Sequence, residues 1–279
     1  MNFSLFVALF TQLIAACTDA TPTKVTKAVG GKDTTTVLAA AKPIIDSSEM
    51  ILPKIPKSVL DSDSRVVYFT MDDGPLAASN ILRQVAEEKQ VKISEFAVGI
   101  HALGNKSFMA CLNAMKRSPY MEVCNHSYSH AYNRYKNFYA VPQRAADDIM
   151  GNQTKLNLTL KIVRMPGRDI WSTSTFKRGW GQSGGKTAEI LTNNGYKLYG
   201  WDCEWEHYGS TLPKMSPTNF VAMVDNLFAR KAMATPNHLV ILGHDEMLVT
   251  AKGQQDFKQI IEMLKAKGYI FEFISNYPS

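Results

Sequence analysis

The sequence lacks any run of basic residues interleaved with aromatics, and it has no visible internal repeat. A basic, aromatic-rich surface is the usual footprint of a nucleic-acid-binding protein, so no nucleic acid is expected as a partner. A phosphate-binding loop is also missing, because the glycine-rich segment 180–186 follows no predicted strand and has no Gly-Lys-Ser/Thr spacing. The net charge of +6 therefore indicates only a preference for anionic surfaces, such as cell-wall polymer or lipid phosphate.

Residues 1–17 contain no charged side chain. The mainly apolar stretch from Phe3 to Ala16 is too short to span a bilayer, but it is typical of the apolar region of a secretory signal. It ends at Cys17 in a segment that resembles the lipobox of bacterial lipoproteins, where the cysteine is acylated. We therefore expect an exported protein, periplasmic or in the cell envelope, with membrane anchoring through a lipidated Cys17. A buried or frayed N-terminal helix is the alternative.

Residues 18–64 are rich in Thr, Ala, Lys, Ser and Pro and show little periodicity. This composition indicates a linker or arm that carries the following domain away from a membrane surface. The domain itself is expected over residues 65–279. Hydrophobic residues make up 45% of the chain and charged residues 20%, which excludes disorder of the whole chain.

Cysteine is scarce, with four residues in the chain. If Cys17 is lipidated, the odd number that remains implies at least one free thiol in an exported protein. Three pairings among Cys111, Cys124 and Cys203 stay open. All three residues are equally compatible with ordinary buried side chains.

From Arg65 onward, short runs rich in β-branched and aromatic residues alternate with helix-like stretches. The short runs predict strands at Val66–Met71, Ile93–Ile100, Met121–Asn125, Lys161–Met165, Tyr196–Trp201, His238–Leu242 and Tyr269–Ile274. The clearest helical stretches are Ala78–Lys89, Asn105–Arg117, Pro142–Leu156, Pro217–Ala234 and Ala251–Lys267. Seven strands separated by helical crossovers indicate a parallel β/α array, either a barrel or a doubly wound sheet.

Side chains suited to acid–base or metal chemistry recur at the ends of these predicted strands. They are Asp72, Asp73, His126, Arg164, Asp202 and His244. In β/α barrels the carboxyl ends of the strands carry the active site, because the loops there vary while the barrel holds them. The recurrence therefore favours a barrel over an open sheet.

Asp72 and Asp73 end the first predicted strand and precede Gly74-Pro75. Adjacent residues on a strand face opposite ways, but a turn at the strand end frees both carboxylates to point into one pocket. One carboxylate can then bind a metal while the other accepts a proton. The same residues are common turn formers, so the segment is ambiguous when taken alone.

His126 and His130 stand four residues apart, a spacing that places two imidazoles on one face of a helical turn. A pair of surface histidines is the alternative when this segment is taken alone. Combined with the Asp pair, it supplies what a hydrolase needs to hold one divalent metal and keep a base for water. The two segments together therefore indicate a metal-dependent hydrolase.

Five segments resemble the motifs of the polysaccharide deacetylases, the NodB-homology group (carbohydrate esterase family 4). In chain order they are Thr70–Pro75, His126–His130, Arg164–Gly167, Trp201-Asp202 and Leu242–His244. The resemblance spans about residues 65–275. It implies a distorted seven-stranded β/α barrel that removes acetyl groups from N-acetylated sugars of a polysaccharide or glycoconjugate.

The resemblance also assigns roles to the matching residues. The implied catalytic residues are Asp72 as base and His244 as general acid, supported by Arg164 and Asp202. The implied metal ligands are Asp73, His126 and His130. Leu242 would line the acetyl pocket. Arg164 would orient Asp72 and keep that base ionised. Asp202 would hold the imidazole of His244 and favour its charged form. Zinc is the metal expected by default, because it makes its bound water acidic enough to react at neutral pH.

Two departures from the family pattern concern the substrate site. Gly167 stands where an aromatic residue is usual in the third motif, although its N–H can still stabilise an oxyanion. Cys203 follows Asp202 where the family usually has Trp. We therefore expect the sugar-stacking wall to come from another aromatic residue. The candidates are Tyr128, Trp171 and Trp205.

Two other functions are compatible with parts of the pattern. An Asp-His-His set also suits Fe(II) in a non-haem oxygenase, but such enzymes usually have double-stranded β-helix folds. A non-catalytic carbohydrate-binding module on the same fold would show substituted bases or acids, whereas they are all present here. The sequence leaves open which polymer is deacetylated, whether N- or O-acetyl groups are preferred, and the oligomeric state.

Overall fold

The computed structural model describes residues 54–209 and 211–278. The predicted signal segment, Cys17 and the linker up to residue 53 lie outside the described residues. The described part of the chain is a mixed α/β fold in which a curled, mainly parallel sheet packs against helices. No helix in this part is both long and apolar enough to cross a membrane.

The described residues contain twelve strands. They are β1 Val66–Asp72, β2 Ile93–Ala97, β3 Met121–Asn125, β4 Ile162–Val163, β5 Trp171–Ser172, β6 Lys177–Arg178, β7 Lys197–Leu198, β8 Cys203–Glu204, β9 His207–Tyr208, β10 Leu212–Pro213, β11 His238–His244 and β12 Ile270–Phe271. Parallel pairing runs in the order β7-β4-β3-β2-β1-β11-β8, and the antiparallel strands β5 and β6 extend the β7 end. Strand β12 pairs with the beginning of β1, and β9 and β10 form a separate hairpin.

Strand β1 is the centre of the sheet, and all seven of its residues are buried. Strands of parallel sheets are covered on both faces, so they are continuous apolar runs instead of alternating ones. Strand β1 pairs with β11 along its whole length, from Val66 opposite His238 to Asp72 opposite His244. This register places Asp72 and His244 side by side at the carboxyl edge of the sheet.

Eight α-helices accompany the strands in the described ranges. They are α1 Ser79–Lys89, α2 Gly99–Gly104, α3 Lys106–Arg117, α4 Tyr135–Tyr139, α5 Pro142–Lys155, α6 Gly185–Asn193, α7 Pro217–Ala229 and α8 Ala251–Ala266. Helix α7 begins where the Ser216 hydroxyl accepts the N–H of Asn219 and Pro217 takes the first helical position. The buried apolar residues of α7 and α8 belong to the largest hydrophobic cluster, together with alternate residues of β1 and β11.

The predicted distorted β/α barrel is confirmed, with changes in its details. All five predicted helices are present as α1, α3, α5, α7 and α8. The strand predicted over Ile93–Ile100 ends at Ala97, and its last residues belong to α2. The predicted strand Tyr269–Ile274 supplies only the short β12, whereas the unpredicted β8 pairs with β11 in the main sheet. A two-residue strand has too little pattern to be recognised in a sequence.

The two ends of the sheet, β6 and β8, are not paired with each other. We call the gap between them the seam. Arg178 of β6 bridges it: the guanidinium donates to the backbone oxygen of Trp201 at 2.8 Å and to the carboxylate of Asp169 at 3.2 Å. It also lies 3.6 Å from Oδ1 of Asp202. Side-chain contacts therefore close the barrel at the seam.

The described end of the predicted linker packs against the domain. The N–H of Ile55 donates to the carbonyl of Pro119 at 3.2 Å, and the N–H of Ser58 donates to Oε2 of Glu272 at 2.7 Å. Backbone groups that pair in this way belong to the folded unit. Residues 54–58 of the predicted linker or arm therefore contact the folded domain.

Two of the cysteines are buried free thiols, Cys124 and Cys203. Burial raises the pKa of both thiols above the ordinary value. Each of the three pairings left open by the sequence includes Cys124 or Cys203, so none of the three is present in the described structure.

Candidate metal centre and active site

The first motif forms a sharp turn at the end of β1. Asp72 is buried as the last residue of the strand, whereas Asp73 adopts a left-handed backbone with φ 78°. This change of conformation brings both carboxylates to within 3.5 Å of Nε2 of His126, as the turn was predicted to do. The ring of His101 donates from Nδ1 to the carbonyl of Asp73 at 2.7 Å and fixes the turn.

The second motif is a loop instead of the predicted helical turn. The carboxylate of Asp148, on α5, accepts the N–H groups of Tyr128 at 2.9 Å and Ser129 at 3.2 Å. These hydrogen bonds, in place of helical ones, shape the segment between the two histidines. The rings of His126 and His130 still come together, with their centroids 5.2 Å apart.

Asp73, His126 and His130 offer three ligand atoms within 4.8 Å of one another. Oδ1 of Asp73 lies 3.5 Å from Nε2 of His126 and 3.0 Å from Nε2 of His130. That oxygen is buried and has no well-aligned hydrogen-bond partner among the described residues. One carboxylate oxygen and two imidazole nitrogens are a donor set that fits a divalent ion such as zinc.

The orientation of both imidazoles favours ligation through Nε2. His126 donates from Nδ1 to the carbonyl of Arg164 at 2.8 Å, and His130 donates from Nδ1 to Oδ1 of Asn133 at 3.1 Å. A neutral imidazole with its proton on Nδ1 keeps a lone pair on Nε2. A hydrogen bond from the nitrogen that does not bind the metal is common in metal-binding histidines, since it fixes both the tautomer and the orientation of the ring.

The electrostatics of the cluster favour positive charge. Burial lowers the pKa of His126, but the carboxylates of Asp72 and Asp73 more than offset this, so that the pKa is raised. Burial raises the pKa of Asp73, whereas hydrogen bonds from His126 and His130 bring it well below the ordinary value. A cation and protons would therefore compete for these three residues.

Arg164 is fully buried beside Asp72. Its Nη1 donates to Oδ1 of Asp72 at 2.8 Å and to Oγ1 of Thr70 at 2.7 Å. Nη2 and Nε donate to the carbonyls of Gly200 at 2.8 Å and Tyr199 at 3.2 Å. The predicted contact between Arg164 and Asp72 is present, and the backbone acceptors hold the guanidinium in one place.

These groups line a cavity of about 250 Å³ at the carboxyl edge of the sheet. Three predicted residues from the other motifs also line this cavity: Gly167, Leu242 and His244. Three further residues in its wall were not predicted: Tyr135, Trp201 and Glu204. Gly167 has a left-handed backbone with φ 62°, and a Cβ there would lie 3.2 Å from the ring of Tyr135. Glycine is therefore required where an aromatic residue was expected from the family pattern.

Residues 60–178 match the family model described as polysaccharide deacetylase. The sequence is also similar to the chitin disaccharide deacetylase of Vibrio alginolyticus, with 25% identity over 76% of this chain and 71% of that one. Residues 60–178 therefore carry the sequence pattern of a polysaccharide deacetylase domain.

Solved structures establish the fold of this deacetylase domain. A family 4 carbohydrate esterase from Streptomyces lividans, in complex with acetate, has a TM-score of 0.55 and 21% identity over 75% of this chain and 92% of that one. The catalytic domain of a peptidoglycan N-acetylglucosamine deacetylase from Eubacterium rectale has a TM-score of 0.57 and 21% identity over 80% and 94%.

Asp202 does not contact His244 in the deacetylase domain. Its two carboxylate oxygens accept the N–H groups of Ala234 at 2.8 Å and Val240 at 2.9 Å, and Nδ1 of His244 has no hydrogen-bond partner in the described part of the chain. The cause is the register of β8 on β11, which places Asp202 level with Val240. That position is four residues before His244, or about 13 Å along a strand. The predicted contact is therefore wrong.

Glu204 occupies the place that was expected of Asp202. It pairs with Leu242 in the register of β8 on β11, and its Oε1 lies 3.9 Å from Nδ1 of His244. The ring of His207 packs edge-on against His244, with centroids 5.2 Å apart. The two-residue alternation of a strand could have pointed to Glu204, because it shares a face with Asp202 but lies nearer the strand end.

The predicted sugar-stacking residues do not form the wall of the cavity. Trp171 and Trp205 are fully buried in the core. Trp205 follows Glu204 directly, so it faces the opposite side of the strand when Glu204 faces the cavity. Tyr128 is not among the residues that line the cavity, whereas Trp201, the first residue of the fourth motif, is one of them.

Two buried carboxyl groups lie beneath the metal-site turn. A Cβ at Gly74 would overlap the carboxyl groups of Glu95 and Asp245, so only glycine allows this close approach. Asp245 accepts the hydroxyl of Ser79, and neither oxygen of Glu95 receives a hydrogen bond from another described group. Burial and the nearby Asp245 raise the pKa of Glu95 well above the ordinary value, and burial raises the pKa of Asp245 to about 7. The pair therefore retains a proton at neutral pH.

Proposed function

We propose that this chain is a metal-dependent hydrolase that removes acetyl groups from N-acetylated sugars of a polysaccharide or glycoconjugate. The observation that supports this is a single cavity that contains a three-ligand cluster, a carboxylate fixed by a buried arginine, and a separate imidazole. An Fe(II) oxygenase would need only the three-ligand cluster. A binding module would need neither the fixed carboxylate nor the separate imidazole.

Zinc is the metal we propose for Asp73, His126 and His130. When bound, the ion would supply a Lewis acid for the acetyl carbonyl and lower the pKa of water to about 7. The donor set of one oxygen and two nitrogens supports this choice. Three protein ligands also leave positions open for substrate, as catalytic zinc sites require.

Asp72 acts as the base that takes a proton from the attacking water. Its Oδ1 is bound by Arg164, while Oδ2 lies 3.5 Å from Nε2 of His126 and faces the ligand cluster. Arg164 holds the carboxylate in one orientation through this hydrogen bond. A general base fixed in this way commonly contributes about 10²- to 10⁴-fold to the rate.

His244 acts as the acid that protonates the amide nitrogen as the C–N bond breaks, because an amine is a poor leaving group until it carries that proton. Glu204 faces this imidazole, with its Oε1 3.9 Å from Nδ1 of His244. Leu242 offers an apolar surface to the acetyl methyl group in the same cavity, and the N–H of Gly167 is a donor for the oxyanion.

Acetate release tests this proposal. We expect acetate from at least one of N-acetylglucosamine oligomers, peptidoglycan fragments and O-acetylated polymers, and we expect a chelator to abolish it and zinc to restore it. His126→Ala should lose both bound metal and activity. As a matched control, His238→Asn should keep both, since His238 contacts Tyr68 outside the cavity. Retention of a full equivalent of ion by His126→Ala would contradict the ligand assignment.

We also propose export and lipidation at Cys17, supported by the apolar segment that ends there. Cys17→Ser should release the protein from the membrane fraction, because an acyl anchor contributes about 0.8 kcal/mol per buried methylene. Mass spectrometry of the mature N-terminus provides the second measurement. An uncleaved N-terminus with unchanged fractionation would refute this part of the proposal.

A further inference from the structure

A second cavity, of about 570 Å³, lies beside the candidate metal centre. Its wall includes Ser129 and Ala131, which flank the candidate ligand His130 in sequence. Helix α4 connects the two cavities, because Tyr135 lines the metal cavity and Phe138 lines the second one. A sugar unit held in the second cavity would therefore neighbour the unit held at the metal.

A run of left-handed backbone forms the boundary between the two cavities. His130, Ala131, Tyr132 and Asn133 have φ values of 49°, 55°, 46° and 56°. For residues other than glycine this conformation costs roughly 1–2 kcal/mol each, and such cost is typical of functional segments. The turn buries Ala131 and leaves Tyr132 65% exposed. It presents an aromatic ring to the second cavity, where sugar rings can stack.

The cavity also contains unused polar groups. The hydroxyl of Ser129 is buried and has no hydrogen-bond partner in the described ranges. Arg134 and Arg144 line the same cavity, and neither forms an ion pair or side-chain hydrogen bond with a described residue. Asp148, the one acidic residue in the wall, uses Oδ1 to accept the N–H groups of Tyr128 and Ser129. Two guanidinium groups against one carboxylate leave a net positive charge.

We infer that this second cavity binds a carboxylate-bearing sugar unit next to the unit that is deacetylated. The inference rests on the proposed function. Arginine matches a carboxylate with two parallel N–H donors, and Tyr132 supplies a stacking surface that any sugar ring can use. The two arginines would therefore select an acidic glycan over a neutral one.

Two disaccharides that differ by a single carboxylate test this inference. They are N-acetylglucosaminyl-N-acetylmuramic acid, which carries a lactyl carboxylate, and the neutral N,N′-diacetylchitobiose. Binding is measured by NMR titration with full-length, zinc-loaded His244→Ala protein, which should not turn the ligands over. We expect tighter binding of the acidic disaccharide. Each of Arg134→Gln and Arg144→Gln should weaken that binding roughly 3- to 10-fold, the usual range for one partly exposed charge contact, and leave the neutral ligand within twofold.

Two further variants separate charge selection from structural effects. Arg230→Gln removes an exposed positive charge at the end of α7 and should change neither affinity. Tyr132→Ala should weaken both disaccharides by a similar factor, because stacking does not depend on the carboxylate. High salt should reduce the preference for the acidic ligand.

The outcomes also separate this inference from the proposed function. Equal affinity for the two disaccharides, no measurable binding of the acidic one, or a preference unchanged in both arginine variants would overturn the inference. If the preference is present but wild-type protein releases acetate from no substrate, the proposed function fails while the second binding cavity remains.

Discussion

The buried pair of Glu95 and Asp245 makes a quantitative prediction about stability. Glu95 has an ordinary pKa of 4.5 and a much higher one in the fold, so the folded protein must hold a proton that the unfolded chain releases at neutral pH. In the pH range where only the unfolded chain has lost this proton, folding costs about 1.4 kcal/mol more for each pH unit. Glu95→Gln keeps the shape and a donor toward Asp245, and it removes that cost.

The direction with pH follows from the raised pKa. Below about pH 4.5 both states are protonated and Glu95 contributes no pH dependence. As the pH rises above that value, the folded protein binds more protons than the unfolded chain, so its stability falls. The advantage of Glu95→Gln should therefore grow as the pH rises above about 4.5, by up to about 1.4 kcal/mol per pH unit.

Thermal unfolding of metal-free protein between pH 5 and 8 measures this difference. For a domain of this size, about 1.4 kcal/mol corresponds to roughly 3–6 °C in Tm, so the advantage should grow by up to that amount for each pH unit. The control is Glu189→Gln, since Glu189 is exposed on α6 and should show no pH-dependent gain. A Glu95→Gln protein whose Tm advantage does not grow with pH, or which is less stable throughout, would refute the reasoning.

Three predictions concern the catalytic groups. Asp72→Asn should retain the metal and lose about 10²- to 10⁴-fold in kcat, as measured by metal analysis and acetate release. A near wild-type rate would mean that Asp72 has a role only in the turn and is not the base. His244→Ala should lose far more activity on N-acetyl sugars than on an aryl acetate, whose leaving group needs little protonation; equal losses would mean that His244 is not the proton donor. Glu204→Gln should lower kcat/KM on N-acetyl sugars roughly 3- to 10-fold, whereas Asp202→Asn should lower Tm and leave kcat/KM within threefold. The reverse pattern would show that Asp202, and not Glu204, is the partner of His244.

The catalytic edge of the fold could be predicted from the sequence because it depends on local patterns. Apolar runs that end in Asp72, His126 or His244 mark strands whose carboxyl ends meet at one edge. The metal-ligand cluster could be predicted for the same reason, because Asp73, His126 and His130 lie at that edge, and the three residues do converge. The loop conformation between His126 and His130 could not be predicted, because it depends on Asp148, a residue distant in sequence.

The sequence leaves two candidates for the contact partner of His244, because Asp202 and Glu204 share a face of the strand. Motif order identifies Asp202, but only the register of β8 on β11 shows that Glu204 is two residues closer to His244. Register depends on pairing between segments some forty residues apart, which no local pattern encodes. The buried positions of Trp171 and Trp205 likewise depend on which face of a short strand meets the core.

The seam between β6 and β8 gives the barrel one side that no backbone ladder holds. Elsewhere in the parallel array, separating two strands breaks backbone hydrogen bonds, whereas at the seam it breaks side-chain contacts, among them those of Arg178 with Trp201 and Asp202. Opening there should cost far less than global unfolding, so amide hydrogens of β6 and β8 should exchange with solvent before those of β1. Because Arg178 is bound partly by exposed charges, added salt should speed this local exchange and leave the centre of the sheet protected.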